Sequence, residues 1–130
     1  QQERATNQPA VVLPGFVADE DKAALISGAT ALLFPSLYEG FGFPLLEGNA
    51  CATPVVAANS SSLPEVAGEA ALLVDALDTQ ALSAAIGRIM VDKTLRAELV
   101  EAGLTNTKRF NWQRAARGVL ATLQKAAAQS

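Results

Sequence analysis

The chain has 130 residues, half of them apolar and 18 % charged, which suits one compact domain with a buried core and leaves too little length for two. That balance excludes an intrinsically disordered chain, and a net charge of −3 with no histidine argues against a nucleic-acid or anionic-membrane binder, whose affinity comes from clustered Lys and Arg. The single cysteine, Cys51, can build neither a disulfide framework nor a thiolate zinc site. No apolar run approaches the roughly 18 residues of a membrane span, and residues 1–10 lack the apolar core of a signal peptide, so a cytoplasmic setting is expected. Charge is unevenly spread. Between Val11 and Gln80 nine acids face one base, Lys22, for a net of −8, whereas residues 81–130 carry eight bases and three acids, for a net of +5.

In chain order, the first apolar run is Val11-Val12-Leu13, closed by Pro14-Gly15. Asp19 then suits the cap of a helix over Asp21–Ser27, with acids stacked at its positive end. Ala31-Leu32-Leu33-Phe34 before Pro35 is the second run; Pro44 fits the first turn of a helix reaching Cys51 and Ala52, and Pro54 stops it. Val55-Val56-Ala57 before Asn59-Ser60 and Ala71-Leu72-Leu73-Val74 before Asp75 are the third and fourth, joined by a loop. All four are continuous rather than alternating, the pattern of strands buried on both faces of a parallel sheet. Beyond them Asp78 caps a helix with Leu82, Ile86, Ile89 and Met90 on one stripe, and Leu95, Leu99 and Ala102 continue with a second. Asn111 caps a last helix, whose Trp112, Ala116, Val119, Leu120 and Leu123 share a face. This order predicts an α/β domain, a parallel sheet covered by helices, with ligands outside the carboxyl ends of its strands.

One of those ends carries the densest chemistry. Glu39-Gly40-Phe41-Gly42-Phe43-Pro44-Leu45-Leu46-Glu47 places two carboxylates eight positions apart, around a glycine turn and a helix start. Glycines let a backbone approach a ligand and present its N–H groups, a helix start favours anions, and a carboxylate can accept two hydrogen bonds from a vicinal diol. Anion plus polyol suits a sugar nucleotide. The plainer readings stand beside it: Glu47 as an acid that complements the helix dipole, Phe41 and Phe43 as loop packing, Ser60, Ser61 and Ser62 as a solvated turn, and Cys51 as a small buried hydrophobe.

The run Phe34–Glu47, followed by Ala50-Cys51-Ala52-Thr53-Pro54-Val55-Val56-Ala57, resembles the E-x7-E signature of retaining glycosyltransferases of family 4 (group 1), enzymes of GT-B type with two Rossmann-like domains. Leu13-Pro14-Gly15-Phe16-Val17, Leu63-Pro64-Glu65-Val66-Ala67-Gly68, Ala71–Asp75 and Arg109-Phe110-Asn111-Trp112 resemble that family's donor-binding C-terminal domain in the same order. The family usually has glycine where Ala52 stands and a larger pair where Gly48-Asn49 stands, which points to altered packing rather than lost binding. The resemblance implies that Glu47 holds the ribose hydroxyls of a nucleotide-diphosphate sugar and that Glu39 contacts the transferred sugar near the reacting centre. The N–H groups of Gly40, Phe41, Gly42 and Phe43 would bind sugar hydroxyls, that of Leu45 would face the diphosphate, and Phe16 and Val17 would flank the base. It further implies anomeric retention, no metal or other cofactor, and protein cations at the leaving diphosphate.

The expected organisation is a polar lead-in at 1–10, a donor-binding Rossmann-like domain at 11–125 that is incomplete on its N-terminal side, and a tail at 126–130. No residues here match the family's phosphate-binding Arg and Lys, and the acidic half carries only Lys22, expected in a helix start away from the motif. The helix dipole supplies roughly half an elementary charge, too little for a diphosphate. The chain is therefore expected to be part of a longer hexosyltransferase, cytoplasmic or peripheral at the inner face of a membrane, whose acceptor glycan or lipid binds elsewhere. It is expected to be inactive alone and, with an uncovered strand edge and apolar helix faces, to self-associate. The alternatives are a non-catalytic α/β interaction module and, ranked lower, a sugar-nucleotide epimerase of related architecture.

Overall fold

Three of the apolar runs pair as expected. In a computed structural model that describes residues 11–129, β1 (Leu32–Phe34), β2 (Val55–Ala58) and β3 (Leu72–Val74) form a parallel sheet in that order, with Leu33 opposite Val56 and Ala57 opposite Leu73. The lead-in at 1–10 lies outside the described residues. Successive side chains of a strand face opposite ways, and β2 feeds two cores accordingly. Val55 and Ala57 pack with Leu45 of α2 (Phe43–Ala50) and with Leu63, Val66 and Ala67 of α3 (Leu63–Ala67). Val56 packs with Ala85 and Ile89 of α4 (Thr79–Val91) and Leu99 of α5 (Lys93–Thr107). The remaining helices are α1 (Asp19–Ser27) and α6 (Trp112–Ala127).

The fold departs from the sequence expectation in several places. Val11, Val12 and Leu13 form no strand and are exposed; Pro14 removes a donor, and Gly15 turns the backbone left-handed at φ +72. Only β2 is buried throughout, because β1 and β3 are the edges of this three-stranded sheet, and Leu33 is exposed. The connection from β2 to β3 holds α3, whose five residues are too few to show a helical period but whose Pro64 sits in the first turn. Asp19 is the first residue of α1 rather than its cap, and no side chain caps that helix. The other caps are as expected: Asp78 Oδ1 accepts from the N–H groups of Gln80 and Ala81, and Asn111 Oδ1 accepts from that of Arg114 at 2.8 Å. Met90 falls off the buried stripe of α4, and the apolar face of α6 is exposed, Trp112 being 83 % accessible.

Helix α2 carries the motif, and the fold holds it on two sides. A Cβ at Gly48 would lie 2.8 Å from both Leu32 Cδ2 and Val55 Cγ2, so this position lets the helix press onto the sheet. The neighbouring Asn49 is buried and faces α5: its Nδ2 donates to the Ala70 carbonyl at 3.1 Å, and its Oδ1 accepts from Asn106 Nδ2 at 3.0 Å. Asn106 also donates to the Val66 carbonyl and accepts from Arg109 Nη1 at 2.7 Å. Both amides are satisfied, as burial requires. Gly48 and Asn49 both serve packing, and Asn49 forms a polar bridge from α2 to α5.

Helix α2 ends at Ala50, so Cys51 is its half-buried C-cap, and Ala52 adopts φ +55. A left-handed backbone costs an L residue about 1–2 kcal/mol, a cost that glycine does not bear. Ala52→Gly should raise stability by about 0.5–1 kcal/mol after the larger backbone entropy of glycine is offset. The measurement is urea unfolding, with a higher midpoint and an unchanged slope.

Candidate functional site

The loops that leave the carboxyl ends of β1 and β2 meet above the sheet, where ligands of open α/β sheets bind. The β1 loop, residues 35–42, ends at Gly42, the N-cap of α2, at φ +104 and ψ +48. Glycine is required there twice over, since a Cβ would also lie 2.5 Å from Leu63 Cδ2. Among the described residues, the N–H groups of Gly40, Phe41, Gly42 and Phe43 form no hydrogen bond. The Leu45 N–H, expected to face a diphosphate, donates to the Gly42 carbonyl at 3.1 Å.

The two carboxylates are held by different means. Glu39, half-buried, accepts from Ser36 Oγ at 2.9 Å through Oε1. Glu47, in the second turn of α2, accepts from Lys22 Nζ at 2.9 Å. This corrects the expectation that Lys22 lies away from the motif: a basic residue one turn into α1 is carried to the motif because α1 packs against α2. The Glu47 hydrogen bond and charge raise the Lys22 pKa above the ordinary lysine value. The pairing also shows that the plainer reading of Glu47 as a dipole-compensating acid omits its main partner.

Ser60, Ser61 and Ser62 do more than form a solvated turn. Their hydroxyls bond the β1 loop at Ser36, Glu39 and Phe41, at 2.9–3.1 Å. The only sequence signal was the position of the serine run, at a strand end opposite another serine-containing strand end. The aromatic residues of the motif do pack as expected: Phe41 lies 4.9 Å from the Phe43 ring and meets Phe110 edge-on at 5.6 Å, with Arg109 over Phe110 at 5.1 Å. Arg109 further donates to the Glu65 carbonyl at 3.2 Å, so its guanidinium serves the fold. Phe41 and Phe43 also line one end of an apolar groove of about 920 Å³ along α6. Phe16 is 94 % exposed and Val17 half-buried, and the structure shows no bond from either to the motif. No helix among the described residues is long and apolar enough to cross a membrane.

Similarity to known proteins identifies the family and the fold. The family model for glycosyl transferases group 1 matches residues 1–105. O-antigen chain mannosyltransferase B of Escherichia coli is 41 % identical over 111 residues, 85 % of this chain and 29 % of that protein. MMP alpha-(1->4)-mannosyltransferase of Mycolicibacterium hassiacum is 38 % identical over 117 residues, 87 % of this chain and 28 % of that protein. Among solved structures, sucrose-phosphate synthase from Thermosynechococcus elongatus superposes with a TM-score of 0.70 at 33 % identity, covering 89 % of this chain and 30 % of that one. The chain belongs to the group 1 glycosyltransferase family, and its fold is the Rossmann-like α/β arrangement of a GT-B glycosyltransferase. It spans less than a third of the length of those relatives.

The Lys22–Glu47 pair makes a prediction with a defined sign. A folded-state lysine pKa above the unfolded one contributes stability that is full below the unfolded value and is lost as pH rises through the folded one. Lys22 should therefore titrate above the ordinary lysine range when followed by the NMR shift of its ε-carbon, and Glu47→Gln should bring it back down toward that range. The stability gap between the native chain and Lys22→Met should close only as pH climbs through the alkaline lysine range.

Proposed function

We propose that this chain forms the donor site of a retaining glycosyltransferase that takes a nucleotide-diphosphate sugar and passes its hexosyl unit to a glycan, lipid or small-molecule acceptor. The observation that carries the reading is the run of four N–H groups, Gly40 to Phe43, without hydrogen bonds among the described residues, between the carboxylates of Glu39 and Glu47 at the carboxyl ends of the strands. Such donors suit sugar hydroxyls and anionic oxygens, and they need no rearrangement to meet them. Glu47 accepts from the ribose diol. Lys22 holds one of its oxygens, so the diol meets a carboxylate whose charge is already balanced. Glu39 contacts the transferred sugar beside its anomeric carbon, and Phe16 and Val17 flank the base.

The leaving diphosphate needs positive charge as it departs. In the described chain Lys22 is engaged by Glu47 and Arg109 by Asn106 and Glu65, and the start of α2 offers only its dipole, roughly half a charge. With these two engaged, transfer draws on further cations, and the isolated chain binds donor without turning it over. Similarity to two mannosyltransferases supports a hexosyl donor.

Two substitutions in the full polypeptide that carries this chain separate the roles. Glu47→Ala should weaken nucleoside diphosphate binding by about 1.5–3 kcal/mol, the worth of hydrogen bonds to a charged group, read by calorimetry. Glu39→Ala should lower kcat at least tenfold with a smaller change in KM. Native kinetics and binding in both variants would contradict the assignment.

A further inference from the structure

We propose that Ser61 and Ser62 are positioning residues of the donor site, which fix the direction of the motif's amide groups before the sugar arrives. The inference rests on the donor-site reading above and adds to it the part of the chain that sets the site's geometry. Its starting point is what holds the β1 loop. Among the described residues no backbone–backbone hydrogen bond involves residues 35–41. The loop's hydrogen bonds to the rest of the fold come from serine hydroxyls of the β2 loop.

These bonds are specific in what they grip. Ser61 Oγ accepts from the Glu39 N–H at 2.9 Å and donates to the Glu39 carbonyl at 3.0 Å, so one hydroxyl holds both polar groups of one residue. Ser62 Oγ lies 3.0 Å from the Glu39 carbonyl oxygen and 2.9 Å from that of Phe41, sharing its single hydrogen between them. Ser60 donates to the Ser36 carbonyl at 3.1 Å, and Ser36 in turn donates to the Glu39 carboxylate. In a trans peptide the C=O and the following N–H point in opposite directions. Gripping the carbonyls of Glu39 and Phe41 from the α3 side therefore aims the N–H groups of Gly40 and Gly42 to the opposite side, where they have no partner among the described residues.

The backbone of Ser61 points to the same role. Among the described residues it is one of two non-glycine residues with positive φ, at +47, a conformation that glycine takes freely and serine takes at a cost. The residue that would relieve the strain lacks the hydroxyl that makes both Glu39 bonds. Strain of this kind persists where the surroundings over-determine it, and fixed donors in a site need no reorganisation when the substrate charge develops.

The test uses the full polypeptide that carries this chain, with Ser61→Gly, which accommodates the left-handed backbone and removes the hydroxymethyl side chain, with Ser62→Ala, and with Ser62→Thr as the conservative rescue. Probes are UDP, GDP and ADP for nucleotide affinity, and UDP-glucose, GDP-mannose and ADP-glucose for turnover. Expected results are Glu39 amide hydrogen exchange at least tenfold faster in Ser61→Gly, nucleoside diphosphate affinity within threefold of native, and kcat at least tenfold lower in Ser61→Gly and Ser62→Ala with donor KM changed less than threefold. Ser62→Thr should stay within twofold of native. Unchanged kcat alongside faster exchange would make the serines merely structural and overturn the inference, as would unchanged exchange. Glu47→Ala distinguishes the levels: if it leaves nucleotide affinity intact, the donor reading itself fails, whereas weakened binding there with native kcat in both serine variants rejects only the positioning role.

Discussion

Hydrogen bonds from the Ser60–Ser62 hydroxyls to the backbone of Ser36–Phe41 join the two loops that leave β1 and β2, and the site depends on that junction. Parallel pairing of the strands brings the loops to one end of the sheet but does not orient them. The hydroxyls add the orientation, and Gly42 makes it possible by letting the chain pass against Leu63 with a backbone no other residue takes easily. Beneath the junction, α2 is seated on the sheet through Gly48 and tied to α5 through Asn49 and Asn106, so Glu47 projects from a helix fixed on two sides.

Electrostatics completes the arrangement. Nine acids against one base in the first part of the chain read as a deficit of positive charge, and the structure places that one base on the carboxylate assigned to the ribose. Pairing leaves the local charge near balance and removes Lys22 from any role at a leaving group. The basic C-terminal part does reach the motif's neighbourhood through Arg109, but that guanidinium is held by Asn106 and Glu65 and lies over Phe110.

Much of this was legible in the residues themselves. Runs such as Val55-Val56-Ala57 bounded by turn formers identify strands of a parallel sheet covered by helices, where apolar residues need not alternate with polar ones, and Pro44 with the glycines marks the start of α2. The E-x7-E resemblance singles out Glu39 and Glu47 from local sequence alone, and the family match bears out the family. What stayed hidden depended on tertiary contact. Lys22 and Glu47 are 25 residues apart, and nothing local announces their pairing. Serines favour turns for their own local bonds, so a serine run carries no mark of bonding another loop. The left-handed backbones of Ala52 and Ser61 run against residue preference, and α3 is too short for a period. Val11–Leu13 looks like a strand by composition, but strandedness needs a neighbour, and Pro14 and Gly15 break the run where pairing would continue.

The central claim is that the amides from Gly40 to Phe43 are the donor-binding surface. Titrating the ¹⁵N-labelled chain with UDP, GDP and ADP in parallel, and then with the corresponding nucleotide hexoses, reads those amides one by one. The account predicts that one nucleoside diphosphate shifts resonances in the first turn of α2 and around Glu47, and that its hexose adds shifts at Gly40, Phe41 and Gly42. Shifts confined to the apolar groove along α6, with the Gly40–Phe43 amides unmoved by every nucleotide and nucleotide sugar, would contradict it.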